Sequence, residues 1–319
     1  MPNLRKCAIV GAGNVGATTA FSLMQSSLFS EIVLIDIDHK RAMGEAADLG
    51  HTVPFLSPVE IYAGSYADLA DAALIIITAG AAQAKGETRL DLVRKNARIF
   101  HTVLGDICKY NTEAILLIVT NPVDILTELA RRMTGFPATR VIGSGTVLDT
   151  ARLKFLMGRQ LGVDARHVHA FIIGEHGDTE FPVYSSANIS GIDLDHFCNA
   201  DCPRCNKTDL LRLFENTRDA AYHIIEAKGS TYYAIAEAVR RIATAILRDE
   251  AAILPISVAA DGIYGLKELC LSLPAVLGRS GVQRVLEIPL STEEKLLLDR
   301  CAARMQGVLS ELEELSLVN

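Results

Sequence analysis

The chain has 319 residues, with 31 Lys and Arg against 38 Asp and Glu, a formal net charge of −7, and half its residues are apolar. Such a length suits about two domains, each large enough for its own core, and 22% charged residues beside so many apolar ones argue against disorder. The acidic balance argues against a nucleic-acid partner, since neutralising phosphates needs a basic face. The basic start, Met1 to Lys6, runs into Gly11, Gly13 and Gly16, a poor core for an export signal. The longest apolar runs, 72–82 and 114–120, fall short of the ~20 residues of a membrane span. Seven Cys are an odd count, which fits reduced thiols better than a disulfide framework. The expectation is a soluble cytoplasmic protein with no membrane partner.

In chain order, segments 7–10, 32–35, 74–77 and 115–119 are continuous β-branched or aliphatic runs without polar alternation. Strands buried on both faces read this way. Segments 16–27 and 90–111 between them are long enough for crossover helices. The fold class expected is α/β: a doubly wound parallel Rossmann sheet over 1–143, followed by an α+β catalytic domain over 144–319. In that second half, 150–158 and 208–228 read as helices, 171–173 as a short strand, and Ile235, Val239, Ile242 and Ile246 recur at helical spacing. Segments 252–258 and 269–273 look β-like, and Ser291 with Glu294 fits the capped start of a last helix. No linker separates the halves, so they should pack tightly.

Gly11-Ala-Gly13-Asn-Val-Gly16 follows the first strand and opens a helix. Glycines there permit a tight turn, close approach of a pyrophosphate, and helix-to-sheet packing. The anion then sits on the helix N-terminus. Asp36 ends the second strand, where a carboxylate accepts from a ribose diol and repels a 2′-phosphate, so the cofactor read here is NAD, not NADP. Segments 78–81 and 119–122, with Gly80, Ala81, Val119 and Asn121, end two more strands at the edge where such sheets bind ligands.

Asp149 and Arg152 lie one helical turn apart and face one side. His176 stands in a glycine-flanked turn after a strand, in Gly174-Glu-His176-Gly177-Asp178. A His paired to a buried Asp is held in one tautomer and keeps its proton, so it can protonate a carbonyl oxygen as hydride reaches the carbon. Arg is a better clamp for a carboxylate than Lys. This chemistry points to hydride transfer to a small keto acid.

Together these segments resemble the lactate/malate dehydrogenase family, on its L-lactate side and bacterial in type. The carriers are ITAGAAQAKGETRLDLVRKN (77–96), VTNPVD (119–124), GSGTVLDTAR (143–152), IIGEHGD (172–178) and KGSTYYAIA (228–236), spread over almost the whole chain. The resemblance implies reversible, NADH-dependent reduction of pyruvate to L-lactate. It makes His176 the proton donor and acceptor, Asp149 its orienting partner and Arg152 the grip on the substrate carboxylate. Arg89 would polarise the carbonyl from a loop that closes over the site. Asn121 would bond the carbonyl region and Thr231 would line the side-chain pocket. The cofactor contacts implied are Val15, Asp36, Arg41, Tyr66, Gly80, Ala81, Thr102 and Ser144, with Gly11, Gly13, Gly16, Val119 and Asn121.

Gln83 discriminates within the family, because malate enzymes carry Arg at this position to meet a second carboxylate. A neutral Gln leaves that carboxylate unpaired, whereas the methyl of pyruvate needs no partner. The enzymatic alternatives are a malate or branched 2-hydroxy acid dehydrogenase, and the non-enzymatic one is an NAD-binding regulator. The segment Gln83-Ala-Lys-Gly86 lacks the family's usual Pro, so its open form should be more flexible. Bacterial relatives are often activated by fructose 1,6-bisphosphate through an Arg and a His. His169 matches the His, while Lys154 replaces the Arg and offers only a point charge. The resemblance also implies a homotetramer. His196, Cys198, Cys202 and Cys205 offer four soft ligands, but their irregular spacing reads as a Cys-rich surface turn, and no metal is expected.

Overall fold

The computed structural model describes residues 2–81, 88–198 and 207–315. The apolar runs of the first half become buried strands: Ile32, Val33, Leu34 and Leu74 through Ile77 are wholly inaccessible, as strands covered on both faces require. The first half runs β1 (Asn3–Val10), α1 (Asn14–Gln25), β2 (Glu31–Ile35), α2 (His39–Gly50), β3 (Glu60–Ala63), β4 (Ala72–Ile77), α3 (Arg89–Tyr110), β5 (Ile115–Ile118), α4 (Val123–Thr134) and β6 (Val141–Gly143). Its strands are all parallel, in the order β3-β2-β1-β4-β5-β6. The chain reverses its winding between β1 and β4, which opens a crevice at their carboxyl ends. The expected doubly wound sheet is therefore present.

The second half contributes α5 (Val147–Leu161), the short strands β7 (Val168–His169), β8 (Ile172–Ile173), β9 (Phe181–Pro182), β10 (Asn188–Ile189) and β11 (Ile192–Asp193), and α6 (Leu194–Phe197). Helices α7 (Lys207–Lys228) and α8 (Tyr233–Leu247) follow, then β12 (Ala252–Ala259), β13 (Cys270–Gly278), β14 (Gly281–Val285) and α9 (Thr292–Glu314). Strands β12, β13 and β14 form an antiparallel meander that joins the same sheet, giving nine strands among the described residues. The joint is β6 to β12, where Gly143 pairs antiparallel with Ser257. Only glycine fits there, because a Cβ on Gly143 would lie 2.4 Å from Oγ1 of Thr127 and 2.8 Å from Cβ of Ser257. Ile118, Ile142, Ile256 and Leu271 belong to one continuous core, so the halves pack tightly.

Val239, Ile242 and Ile246 are the buried stripe of α8, as their spacing predicts. The Ser22 hydroxyl of α1 donates to Glu237 of α8 at 2.7 Å, tying the glycine-loop helix to the second half. Helix α9 opens with the expected capping box: the Glu294 N–H donates to Ser291, and the Ser291 N–H donates back to Glu294. No helix among the described residues is long and apolar enough to cross a membrane. Cys7, Cys108, Cys270 and Cys301 are free thiols. Cys198 departs from the expected reduced state, being disulfide-bonded. Cys202 and Cys205 lie outside the described residues.

Candidate active site

The glycine-rich turn sits at the winding reversal. Gly11 has φ +107°, and a Cβ there would come within 2.5 Å of the Ala79 nitrogen that follows β4. A Cβ on Gly16 would lie 1.8 Å from the Gly11 carbonyl oxygen, so α1 could not start where it does. Gly13 is different: its Cβ would meet no protein atom within 4 Å. Protein packing explains two of these glycines, and the open space at the third fits a pyrophosphate laid on the first turn of α1.

Asp36 lies just past β2. Its Oδ2 accepts the Ala12 N–H at 2.6 Å and its Oδ1 accepts the Asp38 N–H at 2.9 Å. Both oxygens keep a lone pair for a ribose diol. Tyr66 is half-buried nearby; burial, with the charges of Asp106 and Asp36, pushes its phenol up to about 12. Thr102 stands one turn before Asp106 on α3 and so shares its face. Arg41 lies in the first turn of α2, exposed, with Glu45 4.0 Å away. Val15 is half-exposed on α1, while Val119 and Ser144 are buried at strand ends.

One buried side chain organises the next two strand ends. Asn96 of α3, 1% exposed, accepts the Ala81 N–H at 2.8 Å and donates to the Asn121 carbonyl at 2.8 Å. A Cβ on Gly80 would strike Cγ2 of Thr120 at 2.3 Å, so the two turns are in contact. Asn121 precedes a cis-proline, Pro122, and both line a cavity of about 230 Å³.

The same cavity holds Asp149, Arg152, His176, Gly177 and Glu180. Nδ1–H of His176 donates to Oδ2 of Asp149 at 2.7 Å, while Nη1 of Arg152 donates to Oδ1 of the same carboxylate at 2.8 Å. Asp149 is 2% exposed. Burial alone would raise its carboxyl pKa, but the His176 and Arg152 charges hold it below the ordinary range. Burial would likewise disfavour the imidazolium, yet Asp149 and Glu180 hold the His176 pKa well above its usual value. With Nδ1–H engaged, Nε2 is the nitrogen left to exchange a proton.

Sequence reasoning missed three members of this cluster. Glu180 lies 3.6 Å from Nδ1 of His176, and burial together with the Asp149 charge pushes its carboxyl up to about 6. Its only sequence signal is a position four after His176. Asp124 accepts the His176 main-chain N–H at 2.7 Å, and Arg218 of α7 lines the cavity wall. Ligand atoms of Asp149, His176 and Glu180 lie within 4.8 Å of one another. Both carboxylates face the same Nδ1, whose hydrogen already serves Asp149, so this is a proton-bearing group in character.

Thr231 lies in a neighbouring cavity of about 700 Å³ that shares Arg152 with the first. Arg89 opens α3 one turn before Leu92, which lines the first cavity. Gln83 falls outside the described residues. Lys154 is half-buried on α5, with its pKa lowered by burial, and His169 is exposed on β7.

The family model described as lactate/malate dehydrogenase, NAD binding domain, matches residues 5–143, and that of the alpha/beta C-terminal domain matches 146–315. An L-lactate dehydrogenase of Acetivibrio thermocellus is 50% identical over 311 residues, covering 97% of this chain and 98% of its own. A lactate dehydrogenase crystal structure from a Medee basin deep-sea metagenome library superposes with a TM-score of 0.94 at 40% identity, covering 98% of this chain and 100% of that one. The minor L-lactate dehydrogenase of Enterococcus mundtii, in its ligands-bound form, gives a TM-score of 0.94 at 36% identity, covering 97% and 98%.

Proposed function

The chain belongs to the lactate/malate dehydrogenase family, and we propose that its cavity works as follows in the interconversion of pyruvate and L-lactate. The protein is an NAD-dependent oxidoreductase. Its reaction joins pyruvate, NADH and a proton to give lactate and NAD. NADH, when bound along the glycine turn, supplies the hydride that reaches the keto carbon. Arg152 grips the substrate carboxylate with the guanidinium nitrogens that Asp149 leaves free. His176 delivers the proton from Nε2 to the carbonyl oxygen and takes it back in the reverse direction. Asp149 keeps the imidazole charged and its ring oriented. Asn121 bonds the carbonyl region, Thr231 bounds the side-chain pocket, and Arg89 and Gln83 complete the site from the start of α3 and the segment before it.

The observation carrying this reading is the shared carboxylate: Asp149 holds the proton donor through one oxygen and the anion clamp through the other. Residues 1–143 serve the cofactor and 144–319 the substrate. The neutral Gln83 supports pyruvate over oxaloacetate. We extend the reading to a cytoplasmic homotetramer, and to activation by fructose 1,6-bisphosphate through His169 and Lys154. The test follows loss of NADH absorbance with pyruvate and oxaloacetate side by side, with and without the sugar bisphosphate. Pyruvate should be preferred by about 100-fold, on the order of 3 kcal/mol in the transition state. A preference for oxaloacetate would overturn the role of Gln83, and a pyruvate curve indifferent to the bisphosphate would remove the activator.

A further inference from the structure

Asp149 fixes the ring of His176, but a side chain is only as well placed as the backbone that carries it. His176 lies in the turn after β8, and its main-chain N–H donates to Oδ2 of Asp124 at 2.7 Å. Asp124 is 1% exposed and sits in the first turn of α4, where the helix dipole favours a carboxylate. Its Oδ1 accepts the hydroxyl of Ser272 of β13 at 2.9 Å. Ser272, wholly buried, also exchanges two main-chain hydrogen bonds of 3.0 Å with Gly174, two residues before His176. Asp124, Ser272 and the catalytic turn thus form a closed triangle. Asn121 lies three residues before Asp124, at the other end of the same short segment.

We infer that Asp124 is a positioning residue for proton transfer, setting the distance between His176 and the oxygen bound at Asn121 by tying the His176 turn to the start of α4, which Asn121 immediately precedes. The inference rests on the reading of His176 as proton donor. Replacing Asp124 by Ala frees the His176 N–H and lets the turn drift, and an ångström of misplacement costs up to about 100-fold in rate. Asp124→Asn keeps a carbonyl oxygen that can accept the same N–H.

The experiment compares the native chain with Asp124→Ala, Asp124→Asn and Ser272→Ala for kcat and KM with pyruvate, NADH affinity by fluorescence, and the solvent deuterium isotope effect on kcat. Expected is a kcat loss of about 10- to 100-fold in Asp124→Ala, with KM and NADH affinity within about twofold and a larger isotope effect. Asp124→Asn should recover most of the rate, and Ser272→Ala should fall between. Native kcat in Asp124→Ala, or a loss confined to KM or NADH affinity, overturns the inference. If Asp124→Ala does not fold, Ser272→Ala decides: lowered kcat at unchanged KM supports the anchor, and native kcat overturns it. A native chain inert toward pyruvate would instead overturn the functional reading itself.

Discussion

At the glycine-rich turn, the geometry comes from neighbours in the chain or in the sheet. Gly16 abuts the Gly11 carbonyl, Gly11 abuts the start of the turn after β4, and Asp36 at the end of β2 ties the loop through Ala12. At His176 the partners come from everywhere else. Asp149 stands on α5, Asp124 on α4 and Ser272 on β13, while Cys301 of α9 accepts the Glu175 N–H at 2.9 Å. An anion cradle needs only backbone and one local carboxylate. A proton donor needs a tuned pKa and a fixed height, and those take charges and anchors from separate elements.

The sharpest way to break this contrast is Asp149→Asn, which removes the ring's partner and leaves the cofactor cradle untouched. kcat for pyruvate reduction should fall by about 10²- to 10⁴-fold with NADH affinity retained. Pyruvate reduction needs the imidazolium, so the native rate should hold through neutral pH and decline only as pH rises through the elevated His176 pKa. Losing the carboxylate destabilises the imidazolium and lowers that pKa, so the decline should move to lower pH. A kcat–pH profile superposable on the native one would refute the pairing.

A smaller effect separates the glycines. Gly16→Ala forces a Cβ onto the Gly11 carbonyl and should cost about 1–3 kcal/mol in urea unfolding, along with NADH binding. Gly13→Ala meets no protein atom, so its stability should stay native while NADH affinity drops in a fluorescence titration. Native affinity in Gly13→Ala would mean the open space does not face the cofactor. The smallest effect is expected at the first turn of α9, well before the Cys301 that meets the catalytic turn: Ser291→Ala loses the capping box and about 1 kcal/mol of unfolding free energy, with kcat unchanged. A native unfolding midpoint would show that Glu294, which also accepts from Ser185, carries that helix start alone.

The same contrast decides what could be read from the amino-acid sequence. The glycine spacing, Asp36, the apolar runs of β1, β2, β4 and β5, and the Ser291 cap are local patterns, and each corresponds to an element in place. Strand β6 is only Val141–Gly143, too short for a periodic signal, and no element is read from the sequence at α2, β3 or α4. Segment 252–258 reads as a strand, but nothing local says that it extends the sheet of the first half. Asp124, Glu180 and Asn96 escaped for a related reason. Each acts through a hydrogen bond or charge to a residue on another element or across a turn, and no spacing rule encodes those meetings. Gln83 remains legible only through resemblance, since its chemistry depends on a substrate group opposite it.

The junction of β6 with β12 also bears on how the protein is made. A ribosome releases the parallel strands in sequence, yet the partner that covers the outer edge of β6 follows only after α5 through α8 have been synthesised. Until then the nascent chain displays an unpaired strand edge beside an apolar surface that β12 and β13 will later cover, the kind of template on which partly made chains associate. The interval between release of β6 and arrival of β12 is thus the stretch of translation in which chaperone protection matters most.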